Sequence, residues 1–144
     1  MDCRHIVFYG TLQLECDKFR ELELDRHLVF VSDCFFRGDL FDIEDMRTGH
    51  NYPAMVDGAG TVKGQLFHIR EPSFLHAADL YEGIRPGDAP AQSDYRREIL
   101  RLTRPEIDAW VYIYNQSVAD CLKIDGGDWL THIAEKNCGT RKQG

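Results

Sequence analysis

The sequence predicts an α+β domain in which a strongly curved or closed mixed sheet carries two or three helices. Three observations lead there. The 144 residues, 43% apolar and 28% charged, have the size and composition of a single domain with one sizeable core. Five or six strand-like runs alternate with two or three helix-like ones. No repeat, low-complexity stretch or linker divides the chain, so one domain is expected over residues 1–144, with a frayed tail over 137–144. Periodicity does not choose between a barrel and an open sheet.

The first element is a buried strand over 5–9, His5-Ile6-Val7-Phe8-Tyr9, β-branched and aromatic, stopped by a turn at Gly10. Residues 14–27 set Leu14, Phe19, Leu22 and Leu24 among charges, the pattern of a short amphipathic helix. Residues 28–36 and 39–43 read as one long strand bent at Gly38, where a bulge fits, followed by a connection over 44–51. Residues 52–56 are extended by Pro53, which confines them to a sheet edge or a strand start. A separate strand is read over 62–69, alternating around Gly64.

Pro72 suits the first position of a helix that runs to about Tyr81 and closes at Gly83, the expected C-terminal glycine. Pro86, Gly87 and Pro90 mark a loop. Residues 95–103 and 108–114 then alternate as two strands that pair across Arg104-Pro105-Glu106. A short closing helix is read over 129–136.

Seventeen basic and twenty-four acidic residues leave a net charge of −7, which disfavours nucleic acid and anionic membrane surfaces as partners. The basic pairs Arg96-Arg97 and Arg141-Lys142 sit among acidic neighbours and read as solvated faces. A small molecule or a protein is the expected partner. No signal-peptide pattern opens the chain and no apolar run approaches the ~20 residues that span a bilayer, so a cytoplasmic location is expected. Five scattered cysteines without CxxC spacing fit reduced thiols.

Two places carry chemistry. A strand ending in Gly10 and followed by Thr11-Leu12 leaves backbone N–H groups clear of side chains, and such a turn can bind a carboxylate or oxyanion. Taken alone it is an ordinary strand-to-loop turn. Glu82 has a stronger claim. With Phe74, Ala77, Ala78 and Tyr81 as the apolar helix face, Glu82 falls at its edge between Ala78 and Leu75, half-buried and in the last turn. Burial and the helix dipole both raise its pKa towards the range that general acid/base chemistry needs. No GxGxxG or P-loop supports a nucleotide, no HExxH or CxxC a metal, and no GxSxG a serine nucleophile. Trp110, Tyr112 and Tyr114 share one strand face and read as core.

Phe8-Tyr9-Gly10-Thr11-Leu12 and Asp79-Leu80-Tyr81-Glu82-Gly83 resemble motifs of the γ-glutamyl cyclotransferase-like (AIG2-like) superfamily. Between them Gly38-Asp39-Leu40-Phe41-Asp42, Tyr52-Pro53-Ala54 and Val62-Lys63-Gly64-Gln65-Leu66 are similar to its G-x-L-Y-D, Y-P-A and V-x-G-x-L segments. Tyr95-Arg96-Arg97 and Ala109-Trp110-Val111-Tyr112-Ile113-Tyr114 follow as its Y-x-R and A-x-x-Y-x-Y strands. The order and spacing match over about residues 5–130. Where many members continue after the loop with glycine and asparagine, this chain has Gln13-Leu14-Glu15-Cys16-Asp17.

The resemblance implies a small mixed barrel-like sheet with flanking helices, and a cofactor-independent enzyme of lyase or acyltransferase type. In its reaction the α-amine of a γ-glutamyl amine or γ-glutamyl-amino acid attacks the γ-carbonyl and releases 5-oxoproline. Glu82 is the expected acid/base residue. Tyr9, Gly10, Thr11 and Leu12 are expected to cradle the substrate, with Tyr95 and Tyr114 contributing hydroxyls. Two other functions fit the same scaffold: a non-catalytic module that binds a small ligand, and an acyltransferase acting on another γ-linked amide in a biosynthetic pathway.

Overall fold

The structure, a computed structural model, describes residues 3–10, 12–13, 16–45, 49–84, 87 and 93–143, with backbone alone from 137 onward. Its elements are β1 (His5–Phe8), α1 (Asp17–Glu21), a 3-10 turn (Leu24–Arg26), β2 (Leu28–Glu44), β3 (Asn51–Ile69), α2 (Phe74–Tyr81), β4 (Tyr95–Arg101), β5 (Asp108–Tyr114), β6 (Leu122–Ile124) and α3 (Trp129–Gln143). The strands form one six-stranded sheet in the order β4-β5-β1-β3-β2-β6. Among the described residues only the β1–β5 pair is parallel, so the sheet is mixed as the sequence predicts.

Backbone hydrogen bonds settle the shape that periodicity left open. Phe35 of β2 donates to the Arg104 carbonyl at 2.9 Å and accepts from the Thr103 N–H at 2.9 Å. The turn between β4 and β5 thus reaches back across the sheet to β2, and the sheet curls into a partial barrel.

Both sheet faces are covered, which is why Ile6, Val7 and Phe8 are consecutive and all buried. Val7 and Tyr9 point into a cluster with Phe36, Val62, Leu66, Val111 and Trp129 of α3. Ile6 and Phe8 point the other way, to Phe19, Leu24, Phe67, Phe74, Ala78 and Tyr112. Period-2 alternation therefore sends two different cores to the two sides of one short strand.

Several elements differ from the sequence reading. Of the helix expected over 14–27, Leu14 and Glu15 lie outside the described residues, and the rest is not one helix: α1 and the 3-10 turn are separated by Glu23 in the left-handed region, φ 52°. This break lets Phe19 and Leu24 both reach the core, which the imperfect spacing of a continuous helix does not allow. Residues 52–56 and 62–69 belong to one strand, β3, antiparallel to β2 along its length. Pro53 pairs with Asp42 there, on a stretch that β1 does not flank, since β1 pairs only with residues 65–68. The bulge at Gly38 is present as a register shift between Arg37 and Asp39; a Cβ on Gly38 would lie 2.4 Å from Met55 Cε. Pro72 lies in the turn before α2, which begins at Phe74. The three-residue β6 is too short to announce itself in sequence. α3 extends to Gln143, past the end expected at 136. Of the expected loop at Pro86, Gly87 and Pro90, only Gly87 is among the described residues. No described helix is long and apolar enough to cross a membrane.

α3 is tied to β2 by charge. Asp42, buried on β2, receives His132 Nε2 at 2.7 Å and Lys136 Nζ at 3.0 Å. Burial pushes the Asp42 carboxyl up, but the bonds from His132 and Lys136 outweigh it and its pKa lies below the ordinary value. Asp42→Asn is expected to cost about 1–3 kcal/mol in chemical denaturation near neutral pH. Because the folded pKa is depressed, this contribution is present above the unfolded value of about 4 and fades as pH falls below it. A cost that does not change between pH 7 and pH 3 would remove the ionic tether.

Candidate active site

Glu82 owes its place to the way α2 ends. Gly83 adopts φ 84°, and the Ile84 N–H reaches the Asp79 carbonyl at 2.8 Å while the Gly83 N–H reaches Leu80 at 3.1 Å. This is a Schellman closure, which needs a left-handed residue and so favours glycine. Glu82 is the residue held between the helix and that glycine. The buried face of α2 runs through Phe74, Leu75, Ala78 and Asp79, whereas Ala77 and Tyr81 are exposed. Glu82 therefore continues the middle of the buried face rather than standing at its edge.

A cavity of about 540 Å³ opens against it, lined by Tyr9, Gly10, Leu12, Tyr95 and Glu82 together with Tyr52, Pro53 and Tyr112. Burial, and next the neighbouring Asp79 carboxylate, push the Glu82 carboxyl up to about 7. No hydrogen-bond donor among the described residues offsets that.

The loop after β1 forms the opposite wall. Gly10 is packed so tightly on Pro53 that a Cβ would lie 2.4 Å from the proline Cγ. Its carbonyl is turned inward and accepts from the Gln13 N–H at 3.3 Å and from Gln13 Nε2 at 3.2 Å. The buried Gln13, part of the segment that departs from the family pattern, thereby braces the loop. Among the described residues no acceptor takes the amide N–H of Gly10 or Leu12. Thr11 lies outside the described residues.

Tyrosine hydroxyls brace the cavity walls. Tyr9 donates to the Tyr112 carbonyl at 2.6 Å, and Tyr95 to the Pro53 carbonyl at 2.7 Å. Burial, with the nearby Glu82 among further causes, raises the pKa of both, so they are neutral donors. Tyr114 is a correction. It does not line the cavity but packs behind Tyr95, ring centroids 5.3 Å apart, and shares a hydrogen bond with Tyr52. It pairs directly with Tyr95 across β4 and β5, and of the two tyrosines only Tyr95 lines the cavity.

Tyr112 takes the cavity position instead, with its hydroxyl donating to Asp79 Oδ1 at 2.8 Å. Asp79 also receives Arg97 Nε at 2.7 Å and Nη2 at 3.0 Å. Sequence reading missed Tyr112, Asp79 and Arg97 as one group. The available signal was that Tyr112 shares its strand face with Tyr114, and that Asp79 stands one turn before Glu82. Glu44, Asp45 and Asp94 add carboxylates to the cavity wall, and no Lys, Arg or His does so among the described residues. Among those residues no group of three or more His, Cys, Asp and Glu is gathered as a metal would require, and none of the four described cysteines forms a disulfide.

A curled mixed sheet with flanking helices is the architecture of AIG2-like proteins. The chain belongs to the family described as gamma-glutamyl cyclotransferase, AIG2-like, whose model matches residues 6–131. It is similar to the gamma-glutamylcyclotransferase family protein YtfP of Escherichia coli K12, 33% identical over 82 residues that make up 57% of this chain and 63% of that protein. The solution structure of YtfP from Escherichia coli superposes with a TM-score of 0.60 at 22% identity, over 88% of this chain and 96% of that one. An uncharacterized protein of Pyrococcus horikoshii superposes with a TM-score of 0.66 at 16% identity, over 93% and 96% of the two chains. At these identities the structural matches speak for the fold alone.

Proposed function

We propose that the protein is a γ-glutamyl cyclotransferase that releases 5-oxoproline from a γ-glutamyl amine or γ-glutamyl-amino acid, with Glu82 as general acid/base. The observation that carries this reading is a single one. A half-buried carboxyl with a pKa near neutrality faces the same cavity as Gly10 and Leu12, whose amides meet no acceptor among the described residues.

The chemistry follows from the charges that move. The substrate α-amine attacks the γ-carbonyl carbon and must shed a proton, which Glu82 accepts. A C–N bond closes the five-membered ring, and the oxyanion that develops is met by the N–H groups of the Gly10 loop. The bond to the leaving nitrogen then breaks as Glu82 returns the proton to it. One carboxyl serves both steps because its affinity lies between those of donor and acceptor. Folding the glutamyl chain into a near-attack shape supplies much of the rate, since nucleophile and electrophile belong to one molecule. Tyr9, Tyr95 and Tyr112 hold the walls to which it folds, and the carboxylates of Glu44, Asp45 and Asp94 favour approach of an ammonium-bearing substrate.

Incubation with a panel of γ-glutamyl amines, γ-glutamyl-amino acids and γ-glutamyl-ε-lysine, with 5-oxoproline measured, tests the reading. Release from at least one is expected. Ligand-dependent thermal stabilisation without turnover across the panel would support a binding module instead.

A further inference from the structure

We propose that Asp79, clamped by Arg97 and Tyr112, is the positioning residue of Glu82, fixing the helix end that carries it and setting the charge it faces. The proposal rests on the function argued above but is read from contacts outside the reacting atoms.

Asp79 acts through both its main chain and its side chain. Its carbonyl accepts the Ile84 N–H at 2.8 Å, the bond that closes α2 around Glu82. Its carboxylate is held in three places: Arg97 Nε and Tyr112 hydroxyl on Oδ1, Arg97 Nη2 on Oδ2. A two-pronged guanidinium–carboxylate contact defines orientation as well as distance. Arg97 is itself fixed, with its guanidinium 4.1 Å over the Trp110 ring, and Trp110 Nε1 donates to the Cys3 carbonyl at 3.1 Å. The buried Arg97 Nη1 has no hydrogen-bond acceptor among the described residues. This is the cost of a geometry that gives two nitrogens to Asp79 and the cation's face to an indole.

Tyr112 extends the clamp to the far wall. Its hydroxyl holds Asp79 while its carbonyl takes the Tyr9 hydroxyl at 2.6 Å. The loop after β1 and the end of α2 are therefore referred to the same tyrosine, and the distance between cradle and acid is set through it.

The charge environment gives the clamp a signature. Facing Glu82 are Asp79 and Tyr81 from α2, Tyr9 after β1, Tyr52 of β3, and Tyr95 and Tyr112 from β4 and β5. Glu44, Asp45 and Asp94 also line the cavity. Asp79 raises the Glu82 pKa, and Arg97 is the cation that balances Asp79. The two partners of one ion pair should thus act on Glu82 with opposite sign. Asp79→Asn removes a negative charge and leaves Arg97 uncompensated, so the Glu82 pKa falls. Arg97→Gln leaves Asp79 uncompensated, so it rises.

The test is a carbon-13 NMR titration of side-chain carboxyls, with the Glu82 signal assigned by its loss in Glu82→Gln. Movements of about one pH unit are expected, downward in Asp79→Asn and upward in Arg97→Gln. Arg97→Lys, which keeps the charge without the fork, should stay near wild type in pKa while losing turnover. Movements in the same direction, or none, overturn the proposal, because loosened packing has no reason to act with opposite signs. Should Arg97→Gln fail to fold, Asp79→Asn against Arg97→Lys still decides: no fall in the first sinks the idea. The titration needs no substrate. Absence of 5-oxoproline from wild type would defeat the cyclotransferase reading while leaving this result standing, and normal turnover with unmoved titrations would defeat this one alone.

Discussion

Replacing Glu82 by glutamine is expected to lower kcat/KM by about 10²–10⁴-fold, the usual worth of a positioned acid/base group, while making the protein more stable at pH 8. The two effects have one cause. Glu82 binds its proton more tightly in the folded protein, at about 7 against an ordinary 4.5, because burial and Asp79 oppose its charge. A carboxyl raised in this way costs stability as pH rises from its unfolded value through its folded one. Over that interval the loss is up to about 3 kcal/mol, and it is complete by pH 8. Glutamine resembles the protonated acid and escapes it. Chemical denaturation of both proteins at pH 4 and pH 8 checks the sign: near-equal stability at pH 4, and the variant ahead at pH 8. Retained turnover would remove Glu82 from the reaction, and a variant less stable at pH 8 would mean that the carboxylate is stabilised by a partner rather than strained.

Gly10→Ala is expected to reduce kcat/KM by about 10²-fold and to destabilise the fold by about 1–3 kcal/mol. The new Cβ would lie 2.4 Å from Pro53 Cγ and 3.2 Å from its Cδ. Neither side gives way easily. Pro53 is paired with Asp42 in β3 and its carbonyl holds the Tyr95 hydroxyl, while Gly10 is held from behind by Gln13. Either the loop lifts, carrying the Gly10 and Leu12 amides out of register with Glu82, or Pro53 retreats and releases Tyr95. Steady-state kinetics on a substrate that the wild-type protein turns over, together with a melting curve, read both consequences. Wild-type kcat/KM in a protein that melts normally would show that the close packing of Gly10 on Pro53 is not what aims the loop.

The candidate site was legible in sequence wherever its signal was local. Gly83 announced the helix end, and the helix end announced Glu82, because a left-handed cap is a property of a few consecutive residues. Gly10 announced a turn after β1 in the same way. Residues whose role depends on contact across the sheet were not legible. Tyr112 and Tyr114 share one strand face and one side-chain type, and only the tertiary arrangement leaves Tyr112 at the cavity and packs Tyr114 against Tyr95. Arg97 read as half of a solvated basic pair, yet it is the anchor of Asp79, eighteen residues earlier.

The same division runs through the fold. From the sequence alone came the α+β class, the strand that stops at Gly10, the bend at Gly38, the β4–β5 hairpin and α2 with its terminal glycine. Each rests on hydrophobic period or on a glycine or proline acting within a few residues. The tertiary structure alone decided that residues 51–69 are one strand, that the chain breaks at Glu23, and that the sheet curls until Phe35 bonds with Thr103 and Arg104. These depend on partners distant in sequence, whose packing energy outweighs local preference. The meeting of Glu82 with the Gly10 loop belongs to that second group. Seventy-two positions separate the two residues, and nothing short of the curled sheet brings them to one cavity.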